Sequence, residues 1–73
     1  MQAKLNAGKL KALRMGRKLT QEMLAEQVDT TDRYIRALEQ GSKNNPSASL
    51  LYRVSYALGV SMEELMTVTH EAE

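Results

Sequence analysis

Arg33 carries the most specific chemistry in this chain of 73 residues. It lies in DRYIRAL, residues 32–38, where Ile35 and Leu38 are spaced to face inward on a helix. Asp32, Arg33, Arg36 and Ala37 are then left facing outward. A planar guanidinium offers two parallel N–H donors, and guanine O6 and N7 are the acceptors that match them in a major groove. Asp32 has two open readings: its carboxylate accepts from cytosine N4, or it stabilises the positive end of the helix. Ala37, one turn beyond Arg33, suits a thymine methyl. Arg36 belongs to the same base-facing surface, although its length also suits a phosphate. Tyr34 is open between a hydrogen bond to phosphate and packing at the turn.

Presenting such a face takes a short helix held firmly by another. Thr20 stands before one helix and Thr31 before the next, each placed to cap orphan backbone N–H groups. Val28 ends the first apolar stripe, Asp29-Thr30 break the period, and Gly41 is a natural stop just past the second helix. Two helices this short must pack across each other to persist in water, and Ala25 sits where a crossing demands a small side chain. This is the layout of a helix-turn-helix whose second helix enters the major groove. A helix N-terminus also favours an anion, which makes Thr20, Gln21 and Thr31 candidate phosphate contacts.

The stretch resembles the phage repressor/Cro-type, or Xre, helix-turn-helix family. The residues that carry the resemblance are Leu19-Thr20-Gln21-Glu22, Leu24-Ala25-Glu26, Ile35, Leu38-Glu39 and Gly41. It continues through Pro46-Ser47, Leu51 and Ala57-Leu58-Gly59-Val60-Ser61 to Leu65, with Gly8, Leu10, Leu13 and Arg14 upstream. One departure stands at the turn, where the family usually has glycine and this chain has Asp29; aspartate tolerates the left-handed conformation better than most residues. The resemblance implies that Gln21 grips a DNA phosphate. It also implies that Lys43, Asn44 and Asn45 form a loop contacting the DNA backbone. Arg14 and Glu39 match a family ion pair joining the first and third helices, a positioning role.

Composition sets the outer bounds. The chain has no cysteine, hence no disulfide and no thiolate site, and its aromatics are three tyrosines. A core of Leu, Val, Ile, Ala and Met suits a small helical bundle. There is no apolar run long enough for a membrane span or a signal-peptide core, which points to the cytoplasm. The net charge is only +1, but it is unevenly spread. Lys4, Lys9, Lys11, Arg14, Arg17 and Lys18 fall in the first eighteen residues with no acid, while residues 54–73 hold Glu63, Glu64, Glu71 and Glu73 and no Lys or Arg. A basic end can meet phosphates while an acidic end faces away.

The remaining elements follow from period and punctuation. Leu10, Leu13 and Ala7 predict a first helix ending near Gly16, with a turn at Gly16-Arg17-Lys18. Pro46 and Ser47 open a fourth helix carrying Leu51, Val54 and Leu58, closed by Gly59. Ser61-Met62-Glu63-Glu64 reads as a capping box for a short fifth helix that buries Leu65. No strand signal is evident, and residues 67–73 read as a frayed tail. Other candidates fall away: His70 stands alone without metal-ligand spacing, and Glu63-Glu64 belongs to the capping box. Tyr52 and Tyr56, one turn apart, read as packing. No nucleophile, base and oxyanion site assembles, so no enzyme is expected.

The expectation is an all-α, compact five-helix lambda-repressor-like domain over residues 1–66 with a short tail at 67–73. Its partner would be double-stranded DNA, with no membrane, no cofactor, no metal and no small-molecule ligand. The few residues after Leu65 leave no room for an effector domain, so control would come from concentration, competition or partner binding. One recognition helix spans few base pairs, so a homodimer on a palindromic operator is expected, with Val60, Met62 and Met66 at its interface. A rival reading is an antitoxin-like or scaffold module that uses the same fold to bind protein.

Overall fold

Apolar side chains at helical spacing, each run opened by an oxygen-bearing side chain, build four α-helices in the computed structural model, which describes residues 2–69. In chain order these are β1 (Gln2–Leu5), α1 (Ala7–Gly16), α2 (Gln21–Gln27), α3 (Asp32–Gln40), α4 (Ala48–Leu58), a single 3-10 turn (Glu63–Leu65) and β2 (Met66–Thr69). All four helices are capped by a side-chain oxygen that accepts a backbone N–H three residues on. Asn6 Oδ1 takes that of Lys9 at 3.0 Å, Thr20 Oγ1 that of Met23 at 3.0 Å, Thr31 Oγ1 that of Tyr34 at 3.1 Å and Ser47 Oγ that of Leu50 at 3.1 Å. Gly41 and Gly59 end α3 and α4 at φ +82° and +69°, a backbone region that glycine enters without steric penalty.

The expected fifth helix is not formed. Ser61 Oγ does accept the Glu64 N–H at 3.2 Å, so half of the expected capping box exists, but it opens only the 3-10 turn. Thr67, Val68 and Thr69 follow at once, and β-branched residues favour extended backbone. Residues 66–69 therefore become β2 and pair antiparallel with β1, Lys4 opposite Thr67 and Leu5 opposite Met66. The fold is thus helical with a small two-stranded sheet that joins the two ends of the described chain, and Thr67–Thr69 are paired strand and not a frayed tail. His70 and the other residues of the expected tail lie outside the described residues.

The core gathers Leu10 from α1, Leu24, Ala25 and Val28 from α2 and the turn, Ile35 and Leu38 from α3, Leu50, Leu51, Val54 and Leu58 from α4, and Leu5 and Leu65 from the two ends. Each fully buried Leu or Ile contributes roughly 1.5–3 kcal/mol relative to exposure. Because α3 gives its whole apolar stripe to this core, its opposite face is free.

Candidate nucleic-acid interface

Position 29 decides how α2 meets α3. Asp29 adopts φ +59°, the left-handed conformation expected where the family has glycine, and the Thr30 N–H returns to the Ala25 carbonyl at 2.9 Å. Ala25 is 3 % exposed, so a larger side chain there would hold the helices apart. The other non-glycine left-handed residue is Lys18, at φ +58°. The turn before α2 therefore pivots on Lys18, and Gly16 ends α1 as an ordinary helical residue.

Beneath α3 a three-residue network fixes its orientation. Arg14 Nε donates to Glu39 Oε2 at 2.6 Å and Arg14 Nη2 to Glu39 Oε1 at 3.0 Å, a fork-on-fork pair joining α1 to α3. Arg14 Nη1 donates to the Leu19 carbonyl at 2.7 Å, and Gln21 Nε2 donates to Glu39 Oε1 at 3.1 Å. The Glu39 side chain is only 2 % exposed. The Arg14–Glu39 pair matches the sequence expectation. The bond from Gln21 was not foreseen, and it leaves the second N–H of the Gln21 amide free to donate elsewhere.

On the outer face, Asp32, Arg33 and Arg36 are exposed and Ala37 is half-buried beside them, while Ile35 and Leu38 are sealed in the core. Arg36 Nη2 lies 3.7 Å from Asp32 Oδ2 across one helical turn; Arg33 has no ion-pair partner among the described residues. Tyr34 is half-buried against the core, which favours the packing alternative. Thr20 and Thr31 each use one hydroxyl lone pair as a cap, and each keeps a hydroxyl proton to donate. After α3, the Ala37 carbonyl accepts both the Lys43 N–H and the Ser42 hydroxyl at 3.2 Å, and the Asn44 carbonyl accepts the Leu5 N–H at 2.9 Å. The loop backbone is thereby tied down while the Lys43, Asn44 and Asn45 side chains stay exposed.

Not every basic residue joins this face. The Arg17 guanidinium lies against Gly59, where a Cβ would collide with it, so this cation sits at the C-terminus of α4. Arg53 is likewise occupied, donating from Nε to the Val28 carbonyl at 2.9 Å and from Nη1 to Ser49 Oγ at 2.6 Å. Val60, Met62 and Met66 are half-buried and already packed on the core. Tyr52 and Tyr56 are 58 % and 79 % exposed, ring centroids 6.4 Å apart; they pack on each other as expected, but outside the core. Among the described residues no group of His, Asp or Glu is placed to hold a metal, and no helix is long and apolar enough to cross a membrane.

A family model described as helix-turn-helix matches residues 10–65. The chain belongs to this family, in its phage repressor/Cro (Xre) branch. Among its relatives is an uncharacterised HTH-type transcriptional regulator, y4dJ of Sinorhizobium fredii, 38 % identical over 68 residues that cover 93 % of this chain and 87 % of the relative. Among solved structures, the restriction-modification controller protein C.AhdI of Aeromonas hydrophila superposes with a TM-score of 0.75 at 29 % identity, covering 81 % of this chain and 88 % of that one. SinR, the master regulator for biofilm formation, solved in complex with DNA, superposes at 0.78 and 28 % identity, covering 82 % and 98 %. The DNA-binding domain of SinR from Bacillus subtilis gives 0.76 at 29 % identity, covering 81 % and 86 %.

Proposed function

We propose that this helix-turn-helix protein binds double-stranded DNA sequence-specifically and regulates transcription, acting in the cytoplasm as a repressor and as a two-fold dimer on a palindromic operator. The observation that carries the reading is the division of α3. Its inner face is locked by Ile35, Leu38 and the Arg14–Glu39 fork, and its outer face presents Asp32, Arg33 and Arg36 to solvent. Arg33, without an ion-pair partner among the described residues, donates to guanine O6 and N7, and Ala37 meets a thymine methyl. Gln21, steadied by Glu39, turns its remaining amide N–H to a phosphate. Thr20, Thr31, Lys43, Asn44 and Asn45 hold the backbone on either side, and Tyr34 lies at the edge of that footprint.

Val60, Met62 and Met66 cover the core incompletely, and their remaining apolar surface is where a second copy docks. The two copies of α3 then lie about 34–36 Å apart, one turn of duplex. A dimer seated on promoter DNA excludes polymerase, which gives repression.

Selecting bound sequences from a randomised duplex pool tests the reading. The expected product is an inverted repeat with half-sites one turn apart, bound with a steep salt dependence. Recovery of no common sequence would overturn it.

A further inference from the structure

The two arginines on the outer face of α3 are held differently. Arg33 has no ion-pair partner among the described residues, whereas Arg36 is bridged at 3.7 Å to Asp32, one turn earlier. Both members of the bridge are half exposed, at 51 % and 49 % of their side-chain surface. The bridge serves neither the cap nor the core. Thr31 caps α3, and among the described residues no buried side-chain nitrogen or oxygen lacks a partner that Asp32 would supply. An exposed pair of this kind adds little to folding stability. Its effect is on Arg36: a long side chain that would otherwise sweep many rotamers is drawn toward one direction along the helix.

We infer that Asp32 is a positioning residue for Arg36, and that the two read DNA as one unit. The inference rests on the proposed insertion of α3 in the major groove. A guanidinium carries five N–H donors in a plane. At 3.7 Å the Asp32 carboxylate attracts Nη2 by charge without a hydrogen bond, so all the donors remain for guanine O6 and N7. When the groove closes on α3 and water leaves, the attraction inside the pair strengthens, and so does the penalty for breaking it. Where the base is not guanine, Arg36 finds no acceptor pair and Asp32 still carries a negative charge into a field of phosphates. The carboxylate therefore lowers affinity for unmatched DNA while raising discrimination on the matched site.

The opposite signs make a test. Wild type, Asp32→Asn, Arg36→Ala and the double variant are titrated on the selected operator, on its single-base changes and on random duplex. Arg36→Ala identifies the position that Arg36 reads. Asp32→Asn keeps the side-chain volume; it is expected to lower discrimination at that position about tenfold, within the range of one bidentate contact. It is also expected to tighten binding to random duplex, because one negative charge is gone. In the Arg36→Ala background the same change is expected to leave the discrimination profile as it was. The inference is overturned if Asp32→Asn retains the preference at that position, or if it alters discrimination equally without Arg36, in which case Asp32 reads a base by itself. A wild-type protein that discriminates nowhere would instead overturn the DNA-reading function beneath it.

Discussion

Arg14 shows what a buried charge demands. Its fork satisfies both Glu39 oxygens in a place where the Glu39 side chain is 2 % exposed, so removing one partner strands the other. Arg14→Leu is expected to cost about 3 kcal/mol of unfolding free energy, a large part of what a small domain has, measured by urea denaturation. No loss beyond about 0.5 kcal/mol would mean that Gln21 alone suffices for Glu39. At this scale helical spacing shows the outward Arg33, while the pairing of Arg14 with Glu39 and the left-handed Asp29 follow from the resemblance to the family. The bond from Gln21 to Glu39 and the seat of Arg17 at Gly59 were not visible, because each depends on helices meeting at angles that no local spacing encodes.

At the scale of elements, the helices could be read because their start and stop signals are local. Thr20, Thr31 and Ser47 cap as expected, and Gly41 and Gly59 close as expected. The sheet could not be read, since β1 and β2 have four residues each and find each other only across the length of the chain. The same blindness turned a genuine bond between Ser61 and Glu64 into a whole helix. Glycine at 59 is required by its φ of +69°; the Arg17 guanidinium beside it ends a flexible, exposed side chain that can swing away from a Cβ. Gly59→Ala is therefore expected to lower stability by about 1–2 kcal/mol, chiefly through the left-handed backbone. Gly16 is the converse: it is helical, and nothing lies within 4 Å of a Cβ there. Gly16→Ala is expected to add about 0.5–1 kcal/mol, read as a higher urea midpoint, and a lower midpoint would contradict that account.

For the whole molecule, the net charge of +1 hides a surface divided by position. The outer face of α3 and the loop after it hold Arg33, Arg36 and Lys43, while the exposed Arg17 and Arg53 lie against Gly59 and the Val28 carbonyl. A dimer that neutralises about 6–10 phosphates should lose about 10³–10⁵-fold in affinity between about 50 and 200 mM salt. A flat response on the selected operator would contradict the phosphate footprint. Met62→Glu is expected to abolish the two-fold footprint and leave one isolated half-site; footprints unchanged by that charge would place the dimer contact elsewhere.

The central claim, that α3 reads bases through its outer face, is tested most directly by Arg33→Ala, titrated against every single-base change of the operator with Lys43→Ala beside it. Arg33→Ala is expected to cost about 1–3 kcal/mol on the preferred site and to erase the preference at one position in each half-site. Lys43→Ala is expected to weaken all sequences alike and to lower the salt slope by about one unit. If Arg33→Ala also weakens every sequence alike, Arg33 only holds the backbone, and the account of the reading face is wrong.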